Sequence, residues 1–404
     1  MILLIRQSIS NQEIKQHKQY FNKRITFRMK KALQEDKTKY TWNQRKILRL
    51  CWYYRNQLAV GTPQKLRIIL EIFLRKKYDQ VISKDKKFSK KLHYIFGYKQ
   101  FTEDTFADNV VEYAMDFASD FYATNFSRYN DNSVLQEITN ELSIYDAGMA
   151  KQFETEINSL NIPSLTKEKI IEIINSIQNT YLVLTDRNFR FWANWNPYTM
   201  QFGRNIRTCP YCNRQYITAI QNGDRKVRAD IDHFLPKGRY PIFSMSIYNL
   251  IPSCKVCNTL KWHNEFKLDE ETPYEFSLDD IARFKYNIGR KKGIEFKEKS
   301  IKDHNLVESY ENMFMIIDTY QFHENIANYL YENHQRYNEK WISDAISSGI
   351  ISRTNLYKLI VGDVCKKEEI LNEPLSKFKR DIIEQIWGKD VLNLVTDNNI
   401  GFKI

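Results

Sequence analysis

Glycine and proline are scarce in this 404-residue chain. There are 12 Gly and 9 Pro, roughly 5% together against the ~12% usual in proteins. A sandwich or barrel needs a turn every ~8–12 residues. An all-β architecture is therefore excluded, and helices joined by few loops are expected. No stretch approaches ~18 uninterrupted apolar residues, which excludes a membrane-spanning helix. The opening Met1-Ile-Leu-Leu-Ile-Arg6 meets a charge too early for a secretory leader, so a soluble, cytoplasmic protein is expected. Linker tracts, collagen-like tracts and internal repeats are also lacking.

Charge is present in an uneven pattern. Lys and Arg number 61 and Asp and Glu 49, a net charge of +12. Residues 1–100 hold 25 basic against 6 acidic side chains, and residues 101–200 hold 6 against 15. Residues 201–270 are again basic, and 271–404 are close to balanced. A strongly basic end is the electrostatic footprint of a protein that meets a polyanion. The alternative is a basic helical surface docked on the acidic segment that follows it. These shifts divide the chain into a basic region (1–100), an acidic region (101–200), a central module (201–270) and a carboxyl-terminal region (271–404).

Apolar periodicity makes both flanks helical. Leu66, Ile69, Leu70 and Phe73 share a face in a helix predicted over Gln64–Lys77 and opened by Pro63. Ile170, Ile173, Ile174 and Ile177 form a second stripe. Phe106, Tyr113, Phe117, Phe121 and Tyr122 also recur nearer to 3.6 than to 2. Met313, Ile316, Ile317 and Tyr320 are expected on one continuous helix.

Cysteine carries the sharpest signal. Cys51 and Cys365 are isolated, and a lone cysteine is most often a small buried hydrophobe. The other four form Cys209-Pro-Tyr-Cys212 and Cys254-Lys-Val-Cys257, two C-x2-C pairs with 41 residues between them. Each pair presents two thiolates from one tight turn, and two pairs complete the tetrahedral sulfur set that Zn2+ favours. Such a site is closed to water, so the zinc is structural. The alternation of Val227, Ala229 and Ile231 predicts a strand ending at His233, Leu250–Pro252 a second strand, and Cys254–Leu268 a helix.

Asp232-His-Phe-Leu-Pro-Lys237, Tyr240-Pro241 and Asn249-Leu-Ile-Pro-Ser-Cys-Lys-Val-Cys-Asn258 resemble the HNH (ββα-metal, His-Me finger) endonucleases. The likeness is to their zinc-stabilised branch, which includes McrA-like restriction nucleases and the HNH partners of ATPases in Septu-type antiphage systems. It covers Cys209 to Phe266. The fold class it implies is mainly α, with a small central zinc-bound ββα-metal module and helical regions on both sides.

The resemblance assigns His233 as general base and Asp232 and Asn258 as ligands of a catalytic Mg2+ or Mn2+. It makes Asn249 the brace of the intervening loop. It implies phosphodiester hydrolysis, of DNA first, with an ATPase as partner in host defence. RNA cleavage and a non-catalytic nucleic-acid adaptor are the alternatives. The third position of the motif, often His, is Asn258 here, which leaves the metal's identity open. Lys237, Arg239, Lys255 and Lys261 are candidate phosphate contacts, or else solvated charges. Asp230 shares a strand face with Asp232, and His263 lies about 140° around a helix from Asn258. Trp192, Trp195 and Tyr198 suit either base stacking or core packing. The remaining histidines, His17 among them, are expected to be packed or surface residues.

Overall fold

The computed structural model describes residues 9–34, 37–102, 106–108, 110–111, 114–115, 132–160, 165–184, 195–204, 206–222, 225–266, 272–288 and 293–396. The protein is mainly helical and divides into two compact units. The helical unit comprises residues 9–204 and 233–251, and the cysteine unit comprises 205–232 and the chain from 252 onward. The charge-delimited stretches 1–100 and 101–200 thus contribute to one unit. No helix among the described residues is long and apolar enough to cross a membrane.

In the helical unit, α1 (Asn11–Tyr20) runs through a π-helical segment, Phe21–Thr26, into α2 (Phe27–Gln34). Then come α3 (Trp42–Tyr53), α4 (Arg55–Val60), α5 (Pro63–Arg75), α6 (Tyr78–Lys84), α7 (Lys86–Phe96) and α8 (Tyr98–Phe101). They are followed by α9 (Asn132–Tyr145), α10 (Ala147–Asn158), α11 (Lys167–Leu184) and α12 (Pro197–Gly203). Their starts are written locally. Ser10 with Glu13 and Thr41 with Gln44 form capping boxes that satisfy otherwise orphaned N–H groups. Pro63 and Pro197 occupy first turns, where a missing N–H costs nothing.

The predicted stripe on α5 is buried. The isoleucines of α11 pack with Ile138 and Leu142 of α9 and Met149 and Phe153 of α10. Phe106 lies partly buried against this core, while Tyr113, Phe117, Phe121 and Tyr122 lie outside the described residues.

Part of the basic region is spent inside this unit. Arg24 and Arg28, 1% and 2% exposed, converge on Glu141 Oε2 at 3.1 and 2.6 Å. Lys31 reaches Glu137 at 3.5 Å. All three cations dock on the acidic segment, and the two buried arginines are not offered to an external polyanion. Two guanidiniums on one buried carboxylate are stable only as a set, because removing one partner of a buried pair typically costs about 3–5 kcal/mol. Glu141→Gln is accordingly expected to lower the unfolding free energy of this unit by about that amount, checked by urea titration.

The cysteine unit contains β1 (Ile220–Asn222), β2 (Arg225–Val227), α13 (Lys255–Lys261), α14 (Leu278–Ile281), β5 (Ala282–Asn287) and β6 (Gly293–Glu298). Two further strands, β3 (Asp230–His233) and β4 (Leu250–Ser253), pair in a sheet of their own. Helices α15 (His304–Phe314), α16 (Ile316–Gln321), α17 (Glu324–Arg336), α18 (Glu339–Ser347), α19 (Arg353–Val361), α20 (Ser376–Trp387) and α21 (Lys389–Thr396) complete it.

Several expectations change here. The single strand predicted through Val227 and Ile231 is two: β2 pairs antiparallel with β1, leaving Val227 62% exposed, and β3 begins at Asp230. The carboxyl-terminal region is not purely helical, since β5 and β6 form an antiparallel hairpin with Phe284 opposite Phe296. The helix predicted through Ile316 breaks at Met315, whose φ of 48° turns the chain, and the Glu311 carboxylate caps the restart at the Ile317 N–H. The helix from Cys254 stops at Lys261, where Trp262 adopts φ 41°. Left-handed backbone at bulky non-glycine residues is imposed by surrounding structure, and composition does not announce it.

Candidate functional site

The four cysteines of the two C-x2-C pairs are buried, and their sulfurs all lie within 4.8 Å of one another. Cys212 and Cys254 bring Sγ atoms from the two pairs to 3.9 Å. Tetrahedral Zn–S bonds of about 2.3 Å put sulfurs about 3.8 Å apart, so the cluster has the dimensions of a zinc site and could hold that ion. The Arg214 and Cys257 N–H groups each donate to a cysteine sulfur at 3.4 Å, which favours thiolate character. Among the described residues, this is the group of three or more His, Cys, Asp or Glu side chains with metal-ligand spacing.

The residue after the first pair ties this cluster to the carboxyl-terminal chain. Asn213 is fully buried with φ 50°, a conformation asparagine tolerates. Its Nδ2 lies within hydrogen-bond distance of Thr208 Oγ1 and of the Ile370 and Glu373 carbonyls. Its Oδ1 accepts from the Lys377 N–H at 3.0 Å. The Tyr320 hydroxyl donates to the Cys212 carbonyl at 2.5 Å. Asn213 does not stand out in sequence although it adjoins the first C-x2-C pair, and Tyr320 figures there only as part of an apolar stripe.

Tyr211, inside the first C-x2-C pair, carries the cluster's geometry to Asp232. Its hydroxyl donates to Asp232 Oδ2 at 2.5 Å, and its ring stacks on Phe314 at 4.6 Å. Burial, followed by the charge of Asp232, pushes the Tyr211 phenol well above its usual range, so it remains a donor. The Lys261 ammonium takes the other oxygen, Oδ1, at 3.1 Å. Lys261 is 0% exposed, which corrects its expected place against a phosphate: its charge is used inside the protein. Asn258, one helical turn before Lys261, donates from Nδ2 to Asp230 Oδ2 at 3.1 Å. That bond settles the orientation of the amide, with Oδ1 as its remaining acceptor. His263 is exposed with its ring beside Trp262, and Lys255 is exposed as well.

His233 and Asn249 belong to the helical unit, with the loop between them. His233 Nε2 lies 3.0 Å from the Ser244 carbonyl. A carbonyl can only accept, so Nε2 carries the proton and Nδ1 is the basic nitrogen of the neutral ring. Asn249 spans the loop: Oδ1 accepts from the Leu235 N–H at 2.7 Å, and Nδ2 donates to the Leu235 and Phe243 carbonyls at 3.2 and 3.0 Å. The Tyr98 and His233 ring centroids lie 4.2 Å apart with the planes at 77°, and the Lys237 ammonium caps the Tyr98 ring at 4.2 Å. Arg239 is exposed and pairs with Asp79 at 3.3 Å.

Two residues outside the motif complete the loop's support. His17 Nε2 donates to the Met245 carbonyl at 2.8 Å, while its Nδ1 accepts from the Trp195 indole at 3.0 Å. Burial pushes His17 down to about 4, so it is neutral near pH 7. Arg204 donates to the Leu250 carbonyl at 2.7 Å. Trp195 and Tyr198 are buried, 2% and 6% exposed, and pack as core residues; Trp192 lies outside the described residues.

Comparison with known proteins adds one partial relative. Over 132 residues the chain is 30% identical to protein ea31 of Escherichia phage lambda. The match takes in 33% of this chain and 37% of that protein, so the chain covers little more than a third of its relative's length. No family model matches the chain. No solved structure matches it either.

Two outcomes test the site. Cys254→Ser should lose bound zinc and loosen the cysteine unit, whereas His233→Ala should retain zinc; equal zinc in both by elemental analysis would refute the metal assignment. Lys261→Met would leave the Asp232 carboxylate buried without its ammonium. It should destabilise the protein by about 3–5 kcal/mol by urea titration, where a solvated lysine would give no measurable change.

Proposed function

We propose that this chain is a metal-dependent HNH endonuclease that hydrolyses phosphodiester bonds, of DNA in the first place. The observation that carries the proposal is the brace around His233. Asn249, sixteen positions on in the chain, ties both ends of the loop with its carboxamide, while the Ser244 carbonyl fixes the histidine tautomer. A general base needs a held orientation and a pKa near neutrality, and imidazole supplies the second.

In this reading, His233 Nδ1 takes the proton of the attacking water as its oxygen bonds to phosphorus and the opposite P–O bond breaks. Asp232 and Asn258 would hold the divalent cation with hard oxygen donors of the kind Mg2+ and Mn2+ prefer. The cation would supply charge neutralisation at the phosphoryl and leaving oxygens. Tyr211 fixes the Asp232 carboxylate. A carboxylate accepts about four hydrogen bonds or ligands in total, so the Tyr211 and Lys261 bonds leave it capacity. The zinc is structural, and service beside an ATPase in antiphage defence is part of the same proposal.

One observation favours a second reading, a non-catalytic nucleic-acid adaptor: the Lys261 ammonium already sits on the proposed metal ligand Asp232. Purified protein incubated with plasmid, single-stranded DNA and total RNA in Mg2+, Mn2+ or neither separates the two. Cleavage is expected only with an added cation, and His233→Ala should slow it by about 10²–10⁴-fold with zinc content unchanged. Cleavage of RNA alone would move the substrate class. Cutting by His233→Ala at the wild-type rate, or intact substrates in every cation, would overturn the proposal.

A further inference from the structure

We propose that the outward face of α3 is a binding surface for single-stranded nucleic acid. Gln44, Ile47, Leu48 and Cys51 bury one side of this helix. Trp42, Lys46, Arg49 and Tyr53 follow at steps of four, three and four residues. At 100° per residue they occupy an arc of roughly 60° opposite the buried side.

All four are exposed, and the two aromatics are unusually so, Trp42 at 65% and Tyr53 at 74%. The Lys46 ammonium lies over the Trp42 ring at 4.7 Å, and Tyr54 sets its ring perpendicular to Tyr53 at 4.8 Å. Each aromatic thus has one neighbouring side chain against its ring and most of its surface open to solvent. The helix has no Asp or Glu along its 12 residues.

This stripe answers one partner chemistry: flat apolar faces alternating with phosphate charge. Stacking on aromatics and ion pairing along a backbone are how single strands are held without regard to sequence. The rings of a duplex are already stacked on one another and are closed to Trp42 and Tyr53. Eleven residues of helix separate the two aromatics by about 16 Å, room for about five nucleotides at 3.4 Å each. The stripe rests on the preceding proposal only in taking nucleic acid as the partner, since binding here requires neither His233 nor a catalytic cation.

The test is fluorescence anisotropy with a fluorescein-labelled oligothymidylate in the absence of Mg2+ and Mn2+, with an unlabelled duplex as competitor. Wild-type and His233→Ala proteins should bind alike. Trp42→Ala and Tyr53→Ala should each weaken binding about ten-fold with circular dichroism and zinc content unchanged. Trp42→Phe should retain most of the affinity. Lys46→Gln with Arg49→Gln should flatten the slope of log K against log salt by about 1.4, two single-strand phosphate contacts. Unaltered affinity in both aromatic variants would overturn the proposal, as would equal competition by duplex. Failure of cleavage with these binding results intact would count against the nuclease and leave the stripe standing.

Discussion

Four sulfurs drawn within 4.8 Å of one another from chain segments 41 residues apart are the constraint on which the rest depends. Thiolates this close and this buried repel one another, and a divalent ion such as zinc, which the cluster could hold, would offset that repulsion. Closing it brings the residues after the first pair and the start of α13 to a common point. From there order spreads by single hydrogen bonds. Tyr211 fixes Asp232, Asn213 collects the carbonyls of the 370s, and Tyr320 secures the Cys212 carbonyl. Through Tyr211, which lies inside the first pair, the cluster is one hydrogen bond from the carboxylate proposed to hold a catalytic cation.

What could be read from sequence, and what could not, follows the range of the interactions. The cysteine pairs, the capping boxes at Ser10 and Thr41, and the isoleucine stripe of α11 are local patterns, and they lie where periodicity and spacing put them. The breaks at Trp262 and Met315 are not announced locally, because neither residue type prefers a positive φ. Lys261 looked like a surface charge because its partner Asp232 precedes it by 29 positions. His17 and Arg204 support a loop 228 and 46 positions downstream. No pattern within a window of ordinary length connects such pairs.

Charge composition misled in a related way. The excess of Lys and Arg over residues 1–100 counts Arg24 and Arg28, which are buried on Glu141, alongside cations such as Lys46 and Arg49 that face solvent. Of the two expectations raised by that excess, docking on the acidic segment holds for Arg24 and Arg28. Part of the basic set glues two stretches of one unit together, and part forms an open face. Burial decides which, and net charge alone cannot.

The segment from His233 to Ile251 belongs with the first two hundred residues, although covalently it interrupts the cysteine unit. Its carbonyls are held by His17 and Arg204, while in the cysteine unit the residues around the first C-x2-C pair are held by the chain near Leu371 and Lys377. The sixty or so residues that carry the motif are therefore not a cassette. Excised, they would forfeit anchors on both flanks at once; transplanted into another scaffold, they would need substitutes for each. The helical flanks therefore supply part of the support on which the fold of those residues depends.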